Sequence, residues 1–165
     1  MAFYGACSSS HIPSWDVFLS FRGADTHHTF TDRLCKALRQ KGIHTFMDDK
    51  LRNGEEISVE LYNAIKESKI SIIVLSKNYA SSQWCLMELK KILKCKKKLG
   101  QHVLPLFYNV NPSEVRHQTN SVGEAFAKLE KKLEVKKLEK VEKWKKTLTK
   151  VANLSGKHLK NYRYF

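Results

Sequence analysis

The chain has 165 residues, about the length of one globular domain, and its 42% apolar content is too high for a disordered tail. Its 30 lysines and arginines against 16 aspartates and glutamates give a net charge of +14, which can attract nucleic acid, although solvated helix faces are the more common origin of such charge. The longest apolar runs, 70–75 and 103–108, are far too short to cross a bilayer, so we expect a soluble protein without a membrane partner.

The first predicted element is a strand that follows a leader. Residues 1–14 contain a serine run and a proline, which resist regular structure, so we expect them to form a flexible leader. Residues 16–22 are then apolar on both faces apart from Ser20, and Gly23 stands at the strand end. A strand that alternates so little is typical of a parallel sheet covered by helices on both sides.

Helices and strands alternate along the rest of the chain. Apolar residues recur at helical spacing from Thr26, and Gly42 supplies the stop of this first helix. The apolar positions of the first three helices are Phe30, Leu34, Ala37 and Leu38, then Ile57, Leu61, Ala64 and Ile65, then Leu86, Leu89 and Leu93. Further strands are predicted at 43–47, 70–75 and 103–108, and two more helical stripes follow Pro112. The alternation predicts a parallel α/β sheet with four clear strands, and no later run is apolar enough to claim a fifth.

Polar residues collect at the carboxyl ends of the first three strands. In open parallel sheets, ligands bind at these ends, where the strand order reverses. The segments that leave them are 22–27, 48–55 and 76–84, and the candidate residues are Arg22, Asp48, Ser82, Trp84 and Glu88. A cation, carboxylates, a hydroxyl and an aromatic ring suit a nucleotide-like ligand better than an apolar one.

Glu88 is the most informative of these candidates. It lies four residues after Trp84, so both side chains project from one side of a helix. It also stands between Met87 and Leu89, beside the apolar stripe, which makes partial burial plausible. The commoner fate of a helical glutamate is a surface pair, here with Lys91 at i+3, and spacing alone favours that alternative.

Several familiar sites are absent from the sequence. The cysteines and histidines lack the spacing of a metal site, so we expect no bound metal. Neither a Rossmann pyrophosphate loop nor a P-loop is encoded among the glycines. The site must therefore bind its ligand in another way.

Residues 16–26 (DVFLSFRGADT) resemble the opening signature of plant TIR domains, found in many intracellular immune receptors. Five further blocks resemble that family in the same order: 46–57, 64–76, 79–89, 104–116 and 141–155. The resemblance assigns residues 15–159 to a TIR domain and leaves 160–165 as a C-terminal tail. It also implies a flavodoxin-like parallel sheet of order 2-1-3-4-5, with helices on both faces.

The resemblance further implies a function. Similar domains self-associate and, when assembled, cleave NAD+ to nicotinamide and ADP-ribose or cyclic ADP-ribose-type signals, which trigger plant immune cell death. NAD+ is then a substrate, and no cofactor is expected. The partners are other TIR domains, and the location is the cytoplasm, with the nucleus as a second compartment. The segment 48–55 would help to shape the site of a neighbouring protomer.

By the same resemblance, Glu88 is the catalytic residue. The residues expected to contact the substrate are Arg22, Gly23, His27, Asp48, Ser82 and Trp84. His27 departs from the family pattern, because the family usually has an arginine there. The Ser-His pair that many members use in self-association is Asp32–Arg33 here.

Two alternatives to this function remain open. The first is a TIR scaffold that acts by TIR–TIR association without turnover, and the loss of the arginine at His27 favours it. The second is a nucleic-acid-binding enzyme that makes cyclic nucleotides, for which Cys85 would be the implicated residue. A small, partly buried apolar side chain is the more common role for a cysteine in such a position.

Overall fold

The computed structural model describes residues 14–48 and 57–159, without the side chains of His27 and His28. Apart from Ser14, the predicted leader lies outside the described residues, and so does the predicted tail 160–165. Of the predicted loop 48–55, only Asp48 is described.

Five parallel strands form one sheet in the described part of the chain, in the order β2-β1-β3-β4-β5. They are β1 Trp15–Phe21, β2 Thr45–Met47, β3 Ser68–Leu75, β4 His102–Tyr108 and β5 Lys157–Leu159. This order confirms the fold expected from the family resemblance. β5 is the strand that the apolar pattern did not reveal, because it has three residues at the sheet edge and two of them are exposed.

Helical segments connect the strands. They are α1 Gly23–Thr26, a π-helical turn His27–Thr31, α2 Asp32–Gln40, α3 Val59–Lys66, a 3-10 turn Tyr79–Ser81, α4 Gln83–Leu99, α5 Pro112–His117, α6 Asn120–Lys132, a 3-10 turn Val135–Lys137 and α7 Glu139–Ala152. None of the helices in the ranges 14–48 and 57–159 is long and apolar enough to cross a membrane.

The first helical region differs in detail from its prediction. Helical structure begins at Gly23 instead of Thr26, and a π-helical turn precedes α2. Such a turn contains an extra residue, which rotates the following helix about its axis. In α2 Cys35 is buried, whereas Ala37, which the pattern placed in the apolar stripe, is exposed.

Helices cover both faces of the sheet, and each face has its own apolar core. Val17 and Leu19 of β1 pack on the face covered by α2. Phe18 packs on the opposite face, in a larger core with buried residues of α3 to α7. Because side chains alternate along a strand, Ser20 shares the face of Phe18. The polar residue of β1 therefore points towards the side of the sheet on which α4 packs.

Helix α4 has a defined start and end. The hydroxyl of Ser82 accepts a hydrogen bond from the backbone N–H of Cys85 at 3.2 Å and caps the N-terminus. Gly100 adopts a left-handed conformation with φ of 67° and ends the helix. These two signals place Trp84 and Glu88 in the first two turns, against the end of β1.

Candidate active site

The site lies at the point where the strand order reverses. β1 pairs with β2 on one side and with β3 on the other, and all three run in the same direction. The crossovers that leave β1 and β3 therefore diverge, which opens a crevice at the carboxyl edge of the sheet. Arg22 follows β1 directly, Asp48 follows β2, and the segment from Ser76 to Ser82 connects β3 to α4.

The carboxyl group of Glu88 is buried in this region, and only 5% of the residue is exposed. Side-chain hydrogen bonds join it to Ser20 of β1 and to Trp84, which lies one turn earlier in α4. The predicted surface pair with Lys91 is wrong. The ammonium of Lys91 lies 3.8 Å from the centre of the Tyr62 ring instead.

Burial gives this carboxyl an unusual proton affinity. It raises the pKa of Glu88 from its ordinary value of 4.5 to about 8, and the nearby negative charge of Asp48 adds to the increase. The hydrogen bonds from Ser20 and Trp84 act in the opposite direction and limit the rise. At neutral pH Glu88 is therefore mostly a neutral acid, held in a position from which a nearby positive charge would drive its ionisation.

A chain of hydroxyl groups lies behind Glu88. The Ser20 Oγ is 2.8 Å from the Tyr79 Oη, and the Tyr79 hydroxyl donates to the backbone carbonyl of Cys85 at 3.2 Å. Ser20 and Tyr79 are both almost completely buried, and burial raises the pKa of Tyr79 well above its ordinary value. Neither residue was singled out as a site residue from the sequence, although Ser20 stands out as the hydroxyl in an otherwise apolar strand.

Asp25 holds the segments after β1 and β3 together. One carboxylate oxygen is 2.6 Å from the Arg22 guanidinium. The other accepts hydrogen bonds from the Ser76 hydroxyl at 2.5 Å and from the backbone N–H of Asn78 at 3.3 Å. Arg22 is thus fixed at the rim of the crevice by a residue that the sequence reasoning did not single out. The signal that could have found Asp25 is its position three residues after Arg22.

The thiol of Cys85 is enclosed in the protein. The residue is 3% exposed, and its thiol donates to the backbone carbonyl of Phe21 at 3.6 Å. Burial raises the pKa of Cys85 to about 12, and the negative charge of Glu88 adds to the increase. A thiol is nucleophilic as the thiolate, so Cys85 is unreactive near neutral pH in this arrangement.

The remaining candidates occupy the rim or lie outside the description. Gly23 begins α1 next to Arg22 and is partly buried, and Ser82 is partly buried at the N-cap of α4. The side chain of His27 lies outside the described residues, as does the loop beyond Asp48. The structure thus brings Arg22, Asp48, Trp84 and Glu88 to one edge of the sheet.

Known proteins resemble this chain in sequence and in fold. A sequence model described as "TIR domain" matches residues 14–164. Disease resistance protein RPV1 of Vitis rotundifolia is 53% identical over 167 residues, and TMV resistance protein N of Nicotiana glutinosa is 50% identical over 150 residues. These alignments cover 98% and 90% of this chain, but only 12% and 13% of the two relatives. The chain therefore spans about an eighth of their length.

One solved structure is similar over most of its length. It is described as the structure of the activated Roq1 resistosome directly recognizing the pathogen effector XopQ (TIR domains). Its sequence is 54% identical, the TM-score is 0.82, and the match covers 90% of both chains.

Proposed function

Because this chain belongs to the TIR domain family, we propose that it is an NAD+ glycohydrolase that works as an assembly of several copies. The observation that carries the proposal is the buried carboxyl of Glu88 at the reversal point of the sheet. Burying an ionisable group is unfavourable, so a glutamate that is 5% exposed beside a polar crevice is a candidate catalytic residue.

The proposed reaction breaks the bond between the ribose C1′ and the pyridinium nitrogen of NAD+. The bonding electron pair goes to the nitrogen, so nicotinamide leaves as a neutral molecule and needs no proton. The sugar becomes an oxocarbenium ion, comparable to that in glycoside hydrolysis. Attack by water then forms ADP-ribose and releases one proton, whereas attack by an atom of the same nucleotide gives a cyclic product.

In this reaction the side chain of Glu88 acts as a carboxylate. The positive charge of the bound pyridinium ring favours loss of its proton, which passes to solvent. The carboxylate then stabilises the positive charge that develops on the ribose and holds a ribose hydroxyl. Trp84 donates a hydrogen bond to the carboxyl group and presents an aromatic face for the nicotinamide ring. We assign the phosphates to the cation Arg22, with Gly23 beside it.

We further propose that assembly and immune signalling belong to this function. The relatives carry the names of disease resistance proteins, and the similar solved structure is an activated resistosome. Association of this domain with further copies of itself is thus the proposed trigger for catalysis and for cell-death signalling in the cytoplasm. Turnover per molecule should then rise with protein concentration.

The proposal is tested by nicotinamide release from the concentrated domain, followed by chromatography. We expect Glu88→Ala to lower turnover by roughly 10²-fold or more, the range for groups that stabilise charge in a transition state. Glu124→Ala, which removes an exposed glutamate of α6, is the matched control and should retain activity. Undiminished release by a folded Glu88→Ala variant would remove Glu88 from the mechanism.

The same assay addresses the scaffold alternative. A domain that self-associates in sedimentation experiments but releases no nicotinamide at any concentration would be a scaffold. The cyclic-nucleotide alternative loses its support from the site, because Cys85 is buried and its pKa is raised to about 12. We therefore do not propose it.

A further inference from the structure

We infer that Asp25 is a positioning residue, which sets the distance between Arg22 and the start of α4. Its catalytic meaning rests on the proposed function, in which Arg22 holds the phosphates and α4 carries the residues that face the ribose and the nicotinamide ring. The arrangement itself is independent of that function, because it consists of three contacts of the Asp25 carboxylate, with Arg22, Ser76 and Asn78. We call these three contacts the Asp25 bracket.

The Asp25 bracket joins two crossovers that diverge from the sheet. Arg22 and Asp25 belong to the crossover that leaves β1, whereas Ser76 and Asn78 belong to the one that leaves β3. The side chain of Asp25 is only 15% exposed and Ser76 is 6% exposed, so water screens these contacts less than it screens a typical surface pair. One carboxylate therefore holds the two sides of the crevice together.

Hydrogen bonds continue from the Asp25 bracket to the first turn of α4. Asn78 donates its backbone N–H to Asp25, and its carbonyl accepts from the backbone N–H and from the hydroxyl of Ser81, at 3.0 and 2.7 Å. Ser82 is the next residue, and its hydroxyl accepts from the N–H of Cys85 and caps α4. Because each of these links is short and local, a displacement of Asn78 displaces the start of α4 as well.

The two halves of the Asp25 bracket can be separated by substitution. Asp25→Asn keeps one oxygen for the donors of Ser76 and Asn78, but it turns an amide NH2 towards the guanidinium and so loses the ion pair with Arg22. Ser76→Ala keeps that ion pair and removes the shorter of the two hydrogen bonds to the β3 crossover, at 2.5 Å. The first variant therefore releases Arg22, and the second releases the start of α4.

These two substitutions should change different kinetic constants of nicotinamide release. In Asp25→Asn the guanidinium of Arg22 is no longer oriented, so KM for NAD+ should rise about 10-fold with little change in kcat. In Ser76→Ala the start of α4 is less well aligned with Arg22, so kcat should fall on the order of 10-fold while KM stays within about two-fold. Ser71→Ala is the matched control and should keep both constants, because the Ser71 hydroxyl is buried in the same strand without a hydrogen-bond partner in the described part of the chain.

Hydrogen exchange of single backbone amides, followed by NMR on the intact domain, tests the bracket without catalysis. Asp25→Ala removes the acceptor of the Asn78 N–H, so exchange at Asn78 should become about 10-fold faster or more. Because the bracket holds the start of α4, the N–H of Cys85 should also exchange faster, both in Asp25→Ala and in Ser76→Ala. Asp16→Ala removes a carboxylate near the opposite end of β1 and should leave both amides unchanged.

Faster exchange at both amides, together with the split between KM and kcat, supports the positioning role. Faster exchange at Asn78 alone would show that Asp25 holds only the β3 crossover, and it overturns the inference. An unchanged or lower KM in Asp25→Asn also overturns it, because Asp25 would then merely compete with the phosphates for Arg22. If Asp25→Ala does not fold, Ser76→Ala supplies the same exchange test at Cys85. A domain in which both amides respond but which releases no nicotinamide would reject the proposed enzyme while the bracket stands.

Discussion

Replacing Glu88 with glutamine should stabilise the domain, and the gain should depend on pH. Glutamine has nearly the same shape, and its side-chain oxygen can still accept a hydrogen bond from Trp84. It carries no charge in the folded or the unfolded chain. The comparison therefore isolates the free energy that the wild-type domain loses by keeping a carboxyl group buried.

The magnitude follows from the two proton affinities of Glu88. In the unfolded chain the carboxyl ionises near 4.5, whereas in the folded domain its pKa is about 8. Because the pKa of Glu88 is higher in the folded domain, the stability that this residue contributes is fully present below about pH 4.5. It is lost as the pH rises through about 8. Each pKa unit corresponds to about 1.4 kcal/mol, so the loss is about 3 kcal/mol at neutral pH and about 5 kcal/mol above pH 8.

Urea unfolding measures this difference when the wild type and Glu88→Gln are compared at several pH values between about 4 and 9. The two proteins should be nearly equally stable at the acid end, and the advantage of the variant should then grow by about 1.4 kcal/mol per pH unit until it levels off. Glu124→Gln, at an exposed position of α6, should show no such trend. A difference that stays constant with pH, or a variant that is less stable at neutral pH, would refute the reasoning.

Three further predictions concern the Glu88 proton, the Arg22 ion pair and the packing of Gly156. Binding of NAD+ near neutral pH should release close to one proton from the wild type and none from Glu88→Gln. Calorimetry in buffers of different ionisation enthalpy measures the number of protons released. Equal release by both proteins would contradict this prediction. Asp25→Asn should lower kcat/KM for NAD+ by about 10-fold, chiefly through a higher KM, because Arg22 loses its ion pair. The control Asp16→Asn removes an exposed ion pair with Lys69 and should leave kcat/KM unchanged. Gly156→Ala should lower the free energy of unfolding in urea by about 3 kcal/mol, because the new Cβ would lie 2.3 Å from the Pro105 carbonyl oxygen. At Gly42 there is open space for a Cβ, but the φ of 77° disfavours alanine, so Gly42→Ala should lower the free energy of unfolding by only about 1 kcal/mol.

The sheet was predictable from the sequence because its central strands are apolar on both faces. Periodicity alone placed four strands near their observed positions, and the helix stop at Gly42 was found. β5 was not predictable in this way, because an edge strand of three mostly exposed residues needs no apolar pattern. It was expected from the family resemblance alone.

The sequence pointed to several residues that lie at this edge of the sheet, but not to their electrostatics. Spacing placed Trp84 and Glu88 on one side of a helix, yet it favoured a surface pair with Lys91, whereas Glu88 is buried. The deciding contacts come from far along the chain: Ser20 lies 59 residues before Tyr79, and Asp25 lies 51 residues before Ser76. Local patterns carry no information about such pairs, which depend on the register of the sheet.

The balance around Glu88 also argues for a particular kind of substrate. Burial and Asp48 raise the pKa of Glu88, while Ser20 and Trp84 lower it. Because the net effect is a pKa of about 8, Glu88 is mostly a neutral acid in the empty crevice at neutral pH. The ligand must then supply the positive charge that makes the carboxylate favourable. In the proposed reaction NAD+ carries that charge on the ring that leaves, whereas NADH has a similar shape without it. We therefore expect NADH to bind without releasing a proton, which would show that the site distinguishes the two by charge at the nicotinamide ring.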